Sequence, residues 1–271
     1  MAFVLASTLI TNAQTTETLY LSGTGLGNTV TWDFYCSDGM NSGKWSRIEV
    51  PSQWELQGFG EYTYGRFYLV KGSKPSDESG LYKHQFDVPA QWKDKQVSIV
   101  FEGVMTDTEV KVNDMPAGDI HQGGFYRFSY DITDKLNFGQ KNSLEVKVWK
   151  ESANKSVNAA ERRADWWLYG GIYRPVYLKA VPKTHIERIA VDARAEGKLI
   201  TELHLKNLSN GSSVAASLTP VGSKKSMGRQ IIPLNNDATQ TIATQWNNIR
   251  TWDCENPNLY TLKLELLDAQ K

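Results

Sequence analysis

The stretch Asp165-Trp-Trp-Leu-Tyr-Gly-Gly-Ile-Tyr-Arg-Pro-Val-Tyr-Leu178 carries more information than any other in the chain. One carboxylate and three aromatic residues stand directly before the pair Gly170-Gly171, and a strand-like run, Ile172 to Leu178, follows it. Paired glycines supply backbone shapes closed to other residues, so they mark a corner. The residues before such a corner lie on a loop at the rim of a sheet. Aromatic rings stack on the C–H faces of a pyranose, and a carboxylate accepts hydrogen bonds from hydroxyls. The chemistry of this rim suits a sugar.

Working outward, the residues on either side alternate with a period of two. Tyr82, His84, Phe86 and Val88 share one face, as do Val97, Ile99 and Phe101. Val110 and Val112 continue the pattern up to an Asn113-Asp114 turn. Tyr126, Phe128, Tyr130 and Ile132 form another such row, and Leu144, Val146 and Val148 the next. These runs are short, turn residues separate them, and no long helical period is present. The pattern predicts an all-β fold whose first part is an antiparallel jelly-roll sandwich. The alternation breaks near Pro182 and resumes at Ile189 to Val191. Leu199, Thr201, Leu203 and Leu205 then share a face, a turn follows at 207–211, and Leu262, Leu264 and Leu266 come last. A second sandwich of immunoglobulin type fits this region. The expected organisation is a signal-peptide remnant and tail over 1–16, a jelly roll over 17–182, and an immunoglobulin-like domain over 183–271. Residues 184–271 fall short of the roughly 100 residues of that fold, which predicts truncation at its C-terminal end. Polar loops are read at 39–43 and 72–80, the second as a surface insertion.

Lys plus Arg number 30 and Asp plus Glu number 30, so the net charge is zero. No basic block is present, which leaves nucleic-acid binding without its electrostatic footing. No stretch is long and apolar enough to span a bilayer as a helix. Met1 to Ile10 is apolar and Thr11-Asn-Ala-Gln14 resembles a small-residue cut site, though a basic leader is lacking. This predicts a periplasmic or secreted protein. Cys36 and Cys254 are far apart and are read as two free, buried thiols. His84, His121, His185 and His204 are scattered, and no metal-ligand spacing of Cys or His occurs.

Gly171 to Leu178 resembles the signature of glycoside hydrolase family 2, which ends in Gly-Ile-Tyr-Arg-Pro-Val-Tyr-Leu or a near variant. Further elements of the family follow in order: Val50-Pro-Ser-Gln-Trp54, Leu81-Tyr-Lys-His-Gln-Phe-Asp-Val-Pro89, Phe101-Glu-Gly-Val104, Val110-Lys-Val-Asn113, His121-Gln-Gly-Gly124 and Asp131-Ile-Thr133. Trp252, Pro257, Leu259 and Tyr260 resemble the family's Trp…Pro-x-Leu-Tyr strand in its immunoglobulin-like domain. The resemblance implies the β-galactosidase, β-glucuronidase or β-mannosidase kind of exo-glycosidase. Such enzymes carry a (β/α)8 barrel with two glutamates for retaining hydrolysis, their carboxyls about 5 Å apart. A barrel needs about 250 residues, and residues 261–271 are all that follow Tyr260. The expectation is therefore a non-catalytic portion with no catalytic residue, no cofactor and no metal site. The barrel and a β-glycoside are its implied partners, and oligomerisation is left open. The alternative is a free-standing carbohydrate-binding module, and a third reading is a purely structural pair of sandwiches.

The resemblance implies four substrate-binding residues: Asp165, Gln53, Trp166 and Trp167. Asp165 matches an acid that holds a sugar hydroxyl, against the plain reading of a loop carboxylate capping local amides. Gln53 stands where several relatives have Asn, one methylene shorter. Trp54 is read as core. Trp166 and Trp167 cannot both be buried on one face of an extended segment, so one is expected to pack and the other to line the pocket. Arg174 is read as structural, paired with a carboxylate or stacked on a Tyr. His121 is read as a turn element. The aromatic loop 61–68 is read either as a sugar platform or lid over the barrel's mouth, or as a surface that packs on a neighbouring domain.

Overall fold

The computed structural model describes residues 15–66, 69–72, 74 and 76–267. The apolar segment read as a secretory signal, and Phe67 and Tyr68 of the aromatic loop, lie outside the described residues. Two compact units divide between Pro182 and Lys183.

The first unit contains β1 (Glu17–Tyr20), β2 (Val30–Cys36), β3 (Trp45–Val50), β4 (Thr63–Tyr64), β5 (Ser79–Asp87), β6 (Lys95–Phe101), β7 (Asp107–Val112), β8 (Met115–Pro116), β9 (Phe128–Asp131), β10 (Lys141–Trp149), β11 (Trp167–Leu168) and β12 (Val176–Pro182). They form a four-stranded sheet in the order β1-β12-β6-β9, a six-stranded sheet in the order β3-β2-β5-β10-β7-β8, and a two-stranded ribbon, β11-β4. Most residues on the predicted alternating faces of the first unit meet in one core, while Tyr126 stands exposed and His84 is half-buried. Val97, Ile99 and Phe101 of β6, Tyr82 and Phe86 of β5 and Leu144, Val146 and Val148 of β10 are buried there with Trp32, Phe34 and Trp54. Full burial of a large apolar side chain contributes about 1.5–3 kcal/mol. The turn expected at Asn113-Asp114 is present, and both residues have positive φ (51° and 63°), which short polar side chains tolerate.

The opposite face of the six-stranded sheet carries a ladder of alternating charge. Arg47, Asp33, Lys83, Glu145 and Lys111 lie side by side across five strands, β3-β2-β5-β10-β7. Arg47–Asp33 is 2.8 Å, Lys83–Glu145 3.4 Å and Lys111–Glu145 3.5 Å. Partly exposed pairs of this kind contribute about 0–1 kcal/mol each. Their larger effect is on register, because a one-residue slip would turn this charged row into the core.

The second unit contains β13 (His185–Ala193), β14 (Lys198–Lys206), β15 (Ser213–Pro220), β16 (Arg229–Pro233), β17 (Thr239–Gln245) and β18 (Tyr260–Leu267). Its sheets run β13-β14-β17 and β16-β15-β18. Leu199, Thr201, Leu203 and Leu205 are all buried, as their shared parity requires. Ile189 and Val191, in contrast, stand exposed on β13, which among the described residues has a hydrogen-bonded neighbour on one side only.

Both cysteines are free, but only Cys36 is buried; Cys254 is exposed, which corrects the expectation of two buried thiols. Cys36 is the last residue of β2, where strand parity turns it inward, whereas Cys254 sits in the polar turn segment Asp253-Cys-Glu-Asn-Pro257. Burial pushes the Cys36 thiol up to about 11. The thiolate is the reactive species. Iodoacetamide at neutral pH should therefore label one thiol per native chain, at Cys254, and two after denaturation. Mass spectrometry of the labelled peptides checks this, and rapid native labelling of Cys36 would contradict it.

Candidate functional site

The two segments read as candidate sugar platforms come together as the ribbon β4–β11. Trp167 pairs with Tyr64 and Leu168 with Thr63. Gly65 N donates to Trp166 O at 2.7 Å. The approach is close enough that a Cβ on Gly65 would lie 2.3 Å from Ala164 O, so a side chain there would push the two segments apart. Tyr62, Tyr64, Trp166 and Trp167 are all between 40% and 49% exposed. The Trp167 ring meets Tyr64 and Tyr62 edge-on, with centroids 5.2 and 6.0 Å apart, and Tyr62 meets Tyr169 likewise at 6.3 Å. Edge-to-face packing of this kind adds about 0.5–1.5 kcal/mol per pair beyond area burial.

Asp165 lies exposed beside these rings. Its Oδ2 receives Arg66 Nη2 at 2.8 Å, and its Oδ1 accepts from the Tyr64 hydroxyl. The hydrogen bond to Asp165 raises the Tyr64 hydroxyl above its ordinary pKa and keeps it a donor. A carboxylate has about four lone-pair sites, so Asp165 retains acceptor capacity toward solvent.

The glycine corner seats the ribbon on the core. Gly170 N faces both oxygens of Glu55 at 3.1 Å, and Gly170 O accepts from Trp54 N at 3.1 Å. Gly171 has φ +116°, and its N–H and C=O exchange bonds with Met105.

Beneath the corner is a cluster of buried charge. Lys150 is 0% exposed; its Nζ lies 2.8 Å from Glu55 Oε1 and 3.5 Å from Glu78 Oε1, and it also donates to Glu61 O. Trp54 Nε1 donates to Glu78 Oε1 at 2.6 Å, and Glu61 N to Glu78 Oε2 at 2.8 Å. Burial raises the carboxyls of Glu55 and Glu78 above the ordinary range, and Lys150 opposes the rise. Nearby, buried Arg162 donates to Tyr169 O at 2.8 Å.

Of the residues singled out in the sequence, Asp165, Trp166 and Trp167 stand together on the ribbon. Gln53 is half-buried and, among the described residues, shares no hydrogen bond with the ribbon. Trp54 is in the core, as expected. The expectation that one of Trp166 and Trp167 packs inward is corrected: both are half-exposed, and Leu168 is the buried member of the segment. A two-residue strand beside Gly65 turns Leu168, not a tryptophan, toward the interior. Arg174 is exposed and lies over the Tyr173 ring at 5.1 Å, in keeping with its structural reading. His121 stacks on Phe128 at 3.8 Å and bonds Gly123 O, so it serves a turn. Tyr64 and Arg66, the partners of Asp165, were visible only as members of an aromatic loop. Lys150, Glu55 and Glu78 were not singled out at all. Among the described residues, no group of three or more His, Cys, Asp or Glu could hold a metal ion.

Known proteins resemble the chain over most of its length. The family model for the glycosyl hydrolases family 2 sugar binding domain matches residues 35–182, and that for glycosyl hydrolases family 2 matches 184–271. A β-galactosidase of Clostridium acetobutylicum is 34% identical over 230 residues, 79% of this chain and 25% of that protein. A β-glucuronidase of Bacteroides fragilis is 25% identical over 251 residues, 87% of this chain and 34% of its own length. A solved β-glucuronidase of Bacteroides uniformis superposes with a TM-score of 0.67 at 21% identity, covering 94% of this chain and 31% of that one; it speaks for the fold alone. The chain thus spans a quarter to a third of the length of these relatives. With both matched segments running consecutively from residue 35 to 271, the chain belongs to glycoside hydrolase family 2 and comprises its sugar-binding and immunoglobulin-like domains.

Proposed function

We propose that this chain is the N-terminal, non-catalytic portion of a periplasmic or secreted exo-β-glycosidase and forms one wall of its sugar pocket. The observation that carries the reading is the half-exposed ribbon of Tyr62, Tyr64, Trp166 and Trp167 with Asp165 beside it. Rings held partly in water are available to a pyranose face, and Asp165 is available to a hydroxyl. Nothing in the ribbon resembles the paired carboxyls of a retaining glycosidase, so the chain's residues bind and orient while a barrel performs the chemistry. Relatives named β-galactosidase and β-glucuronidase support this substrate class.

The deciding experiment is a panel of aryl β-glycosides offered to the product of the full-length gene. Wild type should hydrolyse a β-galactoside or β-glucuronide. Asp165→Ala should lower kcat/KM by about 10- to 100-fold, the equivalent of one charge-assisted hydrogen bond. The 271-residue chain alone should hydrolyse nothing. Hydrolysis by that pure chain, or indifference of the full-length enzyme to Asp165→Ala, would overturn the reading. Strong glycan binding by the isolated chain in calorimetry would instead favour a free-standing binding module. Recovery of the protein from the cytoplasm of its native host would contradict export.

A further inference from the structure

We propose that Lys150, acting with Glu55 and Glu78, is the positioning device that sets the direction of the aromatic ribbon. The inference deepens the reading above by naming what holds the sugar-facing rings, but its tests need no sugar.

The ribbon leaves the core through Glu61 and returns to it through Gly170. Of the four backbone polar atoms of Glu61 and Gly170, three are taken by members of one buried trio, and the fourth, Gly170 O, accepts from Trp54 N. Glu61 N donates to Glu78 Oε2, Glu61 O accepts from Lys150 Nζ, and Gly170 N faces the Glu55 carboxylate. The trio is bonded to itself through Lys150 Nζ. An ammonium has three donors; here its partners are Glu61 O, Glu55 and Glu78. The trio also fastens its neighbours, since Tyr62 OH donates to Glu55 O at 3.1 Å and Trp54 Nε1 to Glu78. Lys150, Glu55 and Glu78 are 0%, 1% and 2% exposed. The outer contacts of the ribbon, Arg66 and Tyr64 on Asp165, lie in solvent and are screened. The buried, directional side-chain ties lie at or next to the root, where Arg162 also holds Tyr169 O. Apolar residues of similar volume commonly equal or exceed a buried ion pair in stability. Stability alone does not call for charge at this place, whereas orienting two separate backbone segments does.

Amide hydrogen exchange followed by NMR on the 271-residue chain is the first test. The amides of Glu61 and Gly170 should exchange as slowly as those of Tyr82 and Val146 in the core strands. Exchange at the rate of the exposed loops would overturn the proposal. The second test labels the chain with 5-fluorotryptophan and assigns the 19F resonances by substitution. Lys150→Met should move the Trp166 and Trp167 resonances by more than a linewidth and leave Trp92 and Trp246 in place. Should that variant fail to fold, the charge-free Lys150→Met/Glu55→Gln/Glu78→Gln chain keeps the volume and is expected to show the same displacement. A folded variant with unmoved Trp166 and Trp167 resonances would refute positioning by the trio, and if neither variant folds the exchange measurement decides. Failure of the glycoside assay with these results intact would remove the sugar role and leave the positioning role standing.

Discussion

Gly170→Ala should unfold the first unit well below its normal temperature and leave the second unit's transition in place. A Cβ at this position would lie 2.1 Å from Trp54 Cζ2. Trp54 cannot step aside, because it is fully buried, its indole is tied to Glu78 at 2.6 Å, and it packs against Phe34. Nor can the backbone retreat, since Gly170 N is bonded to Glu55 and Gly170 O to Trp54 N. Overpacking a core costs about 1–3 kcal/mol. A displaced corner would also leave the Glu55 carboxylate without its amide, about 1–3 kcal/mol more. The sum, about 2–6 kcal/mol, is a large part of the roughly 5–15 kcal/mol that holds a domain. For a unit of this size the midpoint should fall by on the order of 10 °C. Differential scanning calorimetry of the whole chain reads both transitions, and a loss below about 1 kcal/mol would show that the corner has slack the geometry denies.

Lys150→Met should cost about as much at neutral pH, and its cost should depend on acidity. Removing one partner of a buried ion pair typically destabilises by about 3–5 kcal/mol, because a charge is left without compensation; here two carboxylates lose the same cation. In the wild type, burial already raises Glu55 and Glu78 above the ordinary value of 4.5, while Lys150 draws them back down. A carboxyl raised in the folded state holds a proton that the unfolded chain releases. Stability therefore falls as pH climbs from about 4.5 through the raised values. Without the ammonium both carboxyls rise further, and that interval extends upward. The variant should be closest to wild type near pH 5 and furthest from it at pH 7 and above. Urea titrations of both proteins across this range measure the difference directly. A constant gap would mean that the carboxylates find another cation or water when Lys150 is gone.

Much of the architecture was legible in the residues. Tyr82, Phe86, Leu144, Val146 and Val148 announce their inward faces by parity alone, and the alternating charges of Arg47, Asp33, Lys83, Glu145 and Lys111 occupy the face that parity leaves outside. The corner at Gly170-Gly171 and the turn at Asn113-Asp114 are equally local, because glycine and short polar residues tolerate backbone shapes that others resist. The candidate site was legible only in part. Asp165 and its neighbouring tryptophans stood out as a motif. Gln53 was drawn in by resemblance, and the structure leaves it half-buried. The tryptophan expected to pack inward does not, because Leu168 takes that place.

Lys150 shows where local reading ends. It continues the row Leu144, Val146, Val148 at the same parity, so the chain itself determines that this lysine turns toward the interior. Which groups it meets there was settled only when β10 was laid beside the segments that bear Glu55, Glu61 and Glu78. Alternation, turns and composition act over a few residues and are written in order along the chain. Burial of a charge is tolerable only with partners at bonding distance, and those partners come from distant segments of the chain whose closeness in space the local sequence does not encode.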